Sequence, residues 1–231
     1  MRQQNYQVEY KYNGVQNIFE FYLFINPLGT LCYQSEQEIT KAIDVISTNT
    51  DIYILPFHNQ DIVNLFMERK GIKRCHLGLR NEFYRKMYHA SLAFIAASMQ
   101  GQKKGRHFLM EMQAQVSGEI DRFDKALVLK IAKQCHLDLE TFRQDINSDF
   151  VRNLYLKNQN IAKEMLVHRT PTLVIQELQS GDVRTLTDND IKFNSILDET
   201  DDIVAQYFYQ VAQGPVQKTK KHTQLRILRK K

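Results

Sequence analysis

A predominantly aromatic and β-branched run ends in a tight turn that opens directly into a helix with a cysteine in its first turn. The run covers residues 18–25 and is typical of a strand that is covered on both faces. The turn contains Asn26, Pro27 and Gly29, and Cys32 lies behind it on the helix. A strand that passes through so short a turn into a helix predicts an α/β fold, in which the helix packs on the sheet.

The position of this cysteine bears on chemistry. Thioredoxin-like oxidoreductases carry a Cys-x-x-Cys pair at such a turn, and here Gly29 stands at the first position while Cys32 stands at the second. The outer sulfur, at the helix N-terminus, is the one whose thiolate the helix dipole favours and which attacks disulfides. A chain that keeps only the inner sulfur has the scaffold without the usual reaction. The sequence therefore favours a binding role over catalysis.

Periodicity predicts strands on both sides of a helical block. Alternation of apolar and polar residues over 6–12 predicts a half-buried strand, and residues 51–56 read as a short buried strand. The helix between the two long runs extends to about Ser47, and such a strand-helix-strand unit predicts parallel pairing with a right-handed crossover. After the helical block, residues 172–175 and 183–186 predict an antiparallel hairpin around Gly181, followed by a last amphipathic helix.

This order predicts one domain with an insertion. The first half alone would leave a sheet edge unpaired, so the hairpin is expected to complete the same sheet. We expect a single domain over residues 1–215, with its two halves at about 1–58 and 166–215 and the helical insertion at about 59–165. A tail over residues 216–231 completes the chain.

Composition excludes several classes of protein. The chain has 231 residues, no apolar run long enough for a membrane span and no apolar leader at its start, and its three cysteines are far apart. These features predict a cytoplasmic protein in a reducing compartment. The net charge of +5 arises from the tail, whose seven basic residues and absent acids leave −2 for residues 1–215. Nucleic-acid binding is disfavoured, because the tail has no aromatic residue to stack on a base. The tail is the only candidate for it.

Several motifs resemble the DsbA branch of the thioredoxin superfamily and, within it, the SpxH/YjbH family of adaptors. The turn from Asn26 to Cys32 is similar to that family's cysteine turn, and residues 90–105 to one of its helices. Three further segments are also similar, at residues 129–145, 161–165 and 170–173. The resemblance covers roughly residues 18–178. It implies a DsbA-like thioredoxin fold with a mixed β-sheet and a large α-helical insertion.

The resemblance also implies a function. Members of that family present the transcription regulator Spx to the ClpXP protease, so the chain is expected to bind Spx, or a similar client, without catalysis and without a cofactor. In thioredoxin-like folds the Thr-Pro before the second strand pair faces the cysteine turn, which makes Pro171 the candidate cis-proline. The main chain of Thr170 is then free to pair with an extended peptide. The predicted partner-binding residues are Asn26, Pro27, Gly29, Thr30, Cys32, Thr170 and Pro171.

The residues also leave other chemistry open. An alternative is a thiol-disulfide oxidoreductase or glutathione-linked enzyme of the DsbA family that acts through Cys32 alone. Cys75 and Cys135 each precede a histidine, but adjacent side chains diverge, so no metal site is predicted. His168, in the loop before Pro171, is expected to be a surface residue. No phosphate-binding glycine loop or serine nucleophile elbow is present.

Overall fold

A four-stranded mixed sheet forms the centre of the chain, in a computed structural model that describes residues 7–12 and 15–212. Its strands are β3 (Phe19–Ile25), β4 (Thr50–Pro56), β5 (Thr172–Glu177) and β6 (Val183–Thr187), in the spatial order β4-β3-β5-β6. β3 runs parallel to β4 and antiparallel to β5, and β5 is antiparallel to β6. The predicted parallel pair and hairpin are thus confirmed, and the fold is α/β.

Eight α-helices surround this sheet in the described part of the chain. They are α1 (Thr30–Val45), α2 (Gln60–Arg69), α3 (Leu77–Met99), α4 (Gln102–Val116), α5 (Lys125–Gln134), α6 (Leu139–Ile146), α7 (Asp149–Glu164) and α8 (Phe193–Ala212). Helices α2 to α7 lie between β4 and β5 in the chain, so they form the predicted helical insertion. Side-chain caps begin four of these helices, at Asn59, Asp124, Asp138 and Ser148.

Both faces of β3 are covered, as its composition predicts. Phe19, Phe21 and Leu23 join the main core with α1, α3 and α8, whereas Tyr22 and Phe24 pack in a smaller cluster with α7. Every residue of β3 is buried. The strand is therefore held from both sides, and the turn that follows it starts from a rigid position.

Two sequence-based strand predictions were wrong in detail. β4 is an edge strand, because nothing in the described residues pairs with its outer side. Asp51 and Tyr53 on this strand are exposed, so it is not the buried strand that the sequence predicts. The alternation over residues 6–12 yields only β1 (Lys11–Tyr12), paired with β2 (Val15–Gln16), and a single bridge from Val8 to Ile46. Tyr6 lies outside the described residues.

Candidate functional site

The turn between β3 and α1 is organised by Asn26. Its side-chain Oδ1 accepts a hydrogen bond from the N–H of Leu28 at 3.0 Å, and its main-chain oxygen accepts one from Gly29 at 2.9 Å. The N–H of Asn26 itself donates to the sulfur of Cys32 at 3.2 Å. Asn26 thus shapes the turn and ties it to the cysteine.

Cys32 is a buried thiol that stays protonated at neutral pH. Its exposed fraction is 2%, and burial raises its pKa to about 12. The N–H of Asn26 and the hydroxyl of Thr170 act in the opposite direction but do not outweigh desolvation. Because the thiolate is the nucleophile, such a sulfur is a poor attacking group.

Gly29 occupies the place from which a second sulfur would reach Cys32. A Cβ at this position would lie 3.2 Å from the Cys32 sulfur, which is close to the Cβ-to-sulfur separation across a disulfide. Gly29 caps α1 without a side chain, and among the described residues no backbone group pairs with the N–H of Thr30 or Leu31. The helix N-terminus therefore presents unpaired donors to the site.

The predicted facing of residues 170–171 and the cysteine turn is observed. The Thr170–Pro171 peptide bond is cis, and the side chain of Thr170 faces Cys32, where it acts to lower the pKa of the thiol. In the described residues no hydrogen bond uses the main-chain N–H or C=O of Thr170. Asp188 holds this loop in place, since its N–H donates to the oxygen of Pro171 and its carboxylate pairs with Arg69 and Arg169.

A pocket of about 240 Å³ opens between these elements, and we call it the cysteine groove. It is lined by Asn26, Gly29, Thr30, Leu31, Cys32, Ile62, Leu65, Phe66, Arg69, Lys70, Ser117, Gly118 and Thr170. Five of the predicted contact residues are therefore brought together. Pro27 and Pro171 are buried beside the groove and do not line it, and His168 is exposed away from it.

The helical insertion supplies one wall of the groove, through residues that the sequence did not assign to the site. Leu65 and Phe66 of α2 are half-buried, and Phe66 is held edge-on against Phe83 with ring centroids 5.7 Å apart. Arg69, which pairs with Asp188, and Lys70 lie at the rim, and none of the described residues that line the groove is acidic. The amphipathic pattern of α2 predicts an inward face but not which neighbour that face meets.

A turn after α4 closes the opposite side of the groove. Gly118 has φ +74°, and a Cβ there would lie only 2.7 Å from Cγ2 of Thr30. Glycine is needed here for both the backbone conformation and the close approach. The glycine is visible in the sequence, but its contact with α1 is not.

A buried polar pair lies one turn behind the cysteine. Glu36 follows Cys32 by four residues, is 4% exposed, and accepts a hydrogen bond from Gln113 of α4 at 2.7 Å. Burial raises the pKa of the Glu36 carboxyl to about 8. Glu36 was not predicted as a site residue. The signal in the sequence is its four-residue spacing from Cys32, which places it on the apolar face of α1.

Two further observations on the described residues concern metal binding and membrane insertion. These residues contain no group of three or more His, Cys, Asp or Glu side chains placed to hold a metal ion. Cys75 is exposed, whereas Cys135 is buried and its pKa is raised to about 11 by burial. No described helix is long and apolar enough to cross a membrane. The basic tail, residues 216–231, lies outside the described part of the chain.

Comparison with known proteins agrees with this architecture. The family model described as Thioredoxin matches residues 22–196. Among solved structures, Pseudomonas aeruginosa DsbA superposes with a TM-score of 0.58 at 13% identity, covering 88% of this chain and 92% of that one. A putative protein disulfide isomerase from Nitrosomonas europaea gives a TM-score of 0.58 at 13% identity, over 82% and 98% of the two chains. The predicted DsbA-like fold is confirmed.

Curated relatives carry a more specific name. The ClpXP adapter protein SpxH of Bacillus licheniformis is 28% identical over 190 residues, covering 75% of this chain and 63% of the relative. SpxH of Bacillus subtilis is 38% identical over 96 residues, covering 41% and 32%. The chain thus spans less than two thirds of the length of these relatives, and the resemblance to SpxH is confirmed. With the matched residues covering most of its length, the chain belongs to the thioredoxin family and has the SpxH adapters among its relatives.

Proposed function

We propose that this chain is a non-catalytic adaptor that binds a client protein in the cysteine groove and promotes its degradation by ClpXP. The client is a transcription regulator of the Spx type, and the site of action is the cytoplasm. The proposed working unit is one domain over residues 1–215, whose insertion at about 59–165 contributes one wall of the groove. The relatives that carry the name ClpXP adapter protein support this role.

The observation that carries the proposal is the pairing of Gly29 with a neutral, buried Cys32. A helix N-terminus, a main-chain edge at Thr170 and an apolar wall lie together in the groove, which supports contact with polypeptide. It lacks the outer sulfur, and burial keeps the inner one protonated. What remains of a redox site is its ability to bind a peptide.

The same observation disfavours the alternative of an oxidoreductase that acts through Cys32 alone. A single-thiol mechanism needs a thiolate near neutral pH, and desolvation opposes that charge here. The N–H of Asn26 donates to the sulfur and Thr170 also acts to lower the pKa, but together they do not restore an ordinary pKa.

A reconstituted degradation assay tests the adaptor role. Purified ClpXP and Spx are incubated with and without this chain, and loss of Spx is followed with time. We expect faster degradation with the wild type and with Cys32→Ala. An unchanged rate in the presence of the wild-type chain would contradict the proposal for Spx as the client.

A further inference from the structure

A second pocket, of about 330 Å³, opens between the start of α2 and the first turns of α3. It is lined by Gln60, Arg80, Asn81, Tyr84 and Arg85. None of these residues lines the cysteine groove. Helix α2 separates the two pockets, since its first residue contributes to one and its later turns to the other. The chain therefore presents two distinct surfaces.

The charge of this second pocket is uncompensated. Arg80 and Arg85 line it, and no ion pair in the described residues involves either guanidinium. By contrast, the neighbouring Lys86 pairs with Glu82 at 3.0 Å and with Asp121 at 3.3 Å. Guanidinium groups bind carboxylates in a two-pronged geometry, so the pocket is suited to an anionic ligand.

Tyr84 forms a rigid platform between the two arginines. Its ring stands edge-on to buried His58 with centroids 4.7 Å apart, and the ring of Tyr155 packs on the same His58 with centroids 5.7 Å apart. Burial lowers the pKa of His58 to about 4, so the imidazole is neutral at pH 7. Tyr84 nevertheless remains 37% exposed. An aromatic side chain that is already ordered loses little entropy when a ligand covers it.

An apolar side chain continues the same surface. Leu77 begins α3 and is 56% exposed. It shares a helix face with Arg80 and Tyr84, which follow it by three and seven residues. Inorganic phosphate has no apolar group that could cover this area. A peptide that carries both acidic and aliphatic side chains would cover it.

We propose that the surface formed by Leu77, Arg80, Tyr84 and Arg85 is a second docking site, which binds an acidic segment of a protein partner. Carboxylates of that segment pair with the two guanidinium groups, and an aliphatic side chain covers Tyr84 and Leu77. An adaptor must contact two proteins at once, and a surface separate from the cysteine groove meets that need. The role of this site in an adaptor rests on the proposed function, whereas the binding of an acidic segment does not.

Binding of a model peptide to the full chain tests the assignment without any client or protease. The probe is a fluorescein-labelled peptide of glutamate and leucine residues, followed by anisotropy, with a lysine-leucine peptide as its counterpart. We expect the acidic peptide alone to bind, and raised salt to weaken it. The double variant Arg80→Glu/Arg85→Glu should bind about tenfold or more weakly, and Arg85→Glu should be intermediate.

A matched control separates this site from general charge. Lys103→Glu/Lys130→Glu makes the same charge change at exposed lysines outside both pockets and should bind within about twofold of wild type. Equal affinity in the arginine variant, or equal loss in the lysine control, would overturn the assignment. A chain that binds inorganic phosphate but not the acidic peptide would also overturn it. Leu65→Glu changes the cysteine groove and should leave binding of the acidic peptide unchanged. Failure of the adaptor role can then be distinguished from failure of the second docking site.

Discussion

Thr170 faces Cys32 across the cysteine groove, so the loop before β5 meets the first turn of α1 there. This arrangement brings a cis-peptide loop and a helix N-terminus to one place, although the whole helical insertion separates them in the chain. Both residues are buried, and the free polar groups around them belong to the main chain. The arrangement is suited to holding an extended polypeptide.

Restoring the outer sulfur should restore a dithiol. In Gly29→Cys the new side chain begins 3.2 Å from the Cys32 sulfur, so we expect an intramolecular disulfide under mild oxidation. Mass spectrometry after alkylation, with and without reductant, measures it. Gly29→Ser, which adds a Cβ but no sulfur, is the control. If Gly29→Cys keeps two free thiols at these positions under oxidant, the inferred geometry of the turn is wrong.

Cys32 should be far less reactive than Cys75. Burial raises the pKa of Cys32 to about 12, whereas Cys75 is exposed. We expect alkylation of Cys32 by iodoacetamide in the folded chain to be about a hundredfold slower or more. Peptide mapping at successive times gives both rates in one sample. Similar alkylation rates for Cys32 and Cys75 in the folded chain would contradict a shielded thiol. In urea, where both are exposed, the two rates should be similar, which serves as the control.

A charge in the apolar wall of the groove should weaken client binding. Leu65→Glu places a carboxylate among Ile62 and Phe66, and we expect binding of the client about tenfold weaker or more. Leu156→Glu is the matched control, because this leucine is 55% exposed on α7 and lies outside the groove. Binding is measured by calorimetry with Spx. Equal effects of the two changes would place the client elsewhere.

The close approach of Gly118 to Thr30 should appear as a stability difference between two glycines. Gly71→Ala meets only backbone strain, because no atom lies within 4 Å of its Cβ, and should cost about 1–2 kcal/mol. Gly118→Ala has similar strain and also meets Cγ2 of Thr30, so we expect at least about 1 kcal/mol more. Urea unfolding measures both. Thr30→Ser removes that methyl group and should recover the steric part in the double variant, and failure to recover it would contradict the contact.

Glu36 should make stability fall as pH rises. Its folded pKa is about 8 and its ordinary value is 4.5, so its contribution is full below pH 4.5 and is lost as pH rises to about 8. His58 acts in the opposite direction, because its pKa of about 4 lies below 6.5 and stability falls as pH drops below 6.5. The range from 6.5 to 8 therefore isolates Glu36. There Glu36→Gln should flatten the curve by up to about 1.4 kcal/mol per pH unit. Parallel curves for the two proteins would contradict a buried, protonated Glu36.

The sequence by itself determined the elements and their chemistry. The apolar run at β3 predicts a doubly covered strand, the turn to Cys32 predicts a degenerate thiol site, and both follow from local pattern. Thr170 and Pro171 were assigned to the site by resemblance to a fold. The edge position of β4 was missed, because a short apolar run does not reveal how many neighbours it has.

Only the tertiary structure decided which surfaces meet. Several contacts at the site join segments that are distant in the chain. They are the wall of Leu65 and Phe66, the approach of Gly118 to Thr30, and the hydrogen bond from Gln113 to Glu36. Such contacts depend on how α2 and α4 cross the sheet, which periodicity within a single helix does not encode. Arg80 and Arg85 of α3 likewise form a pocket only with the start of α2, because a pocket is a property of two elements and not of one.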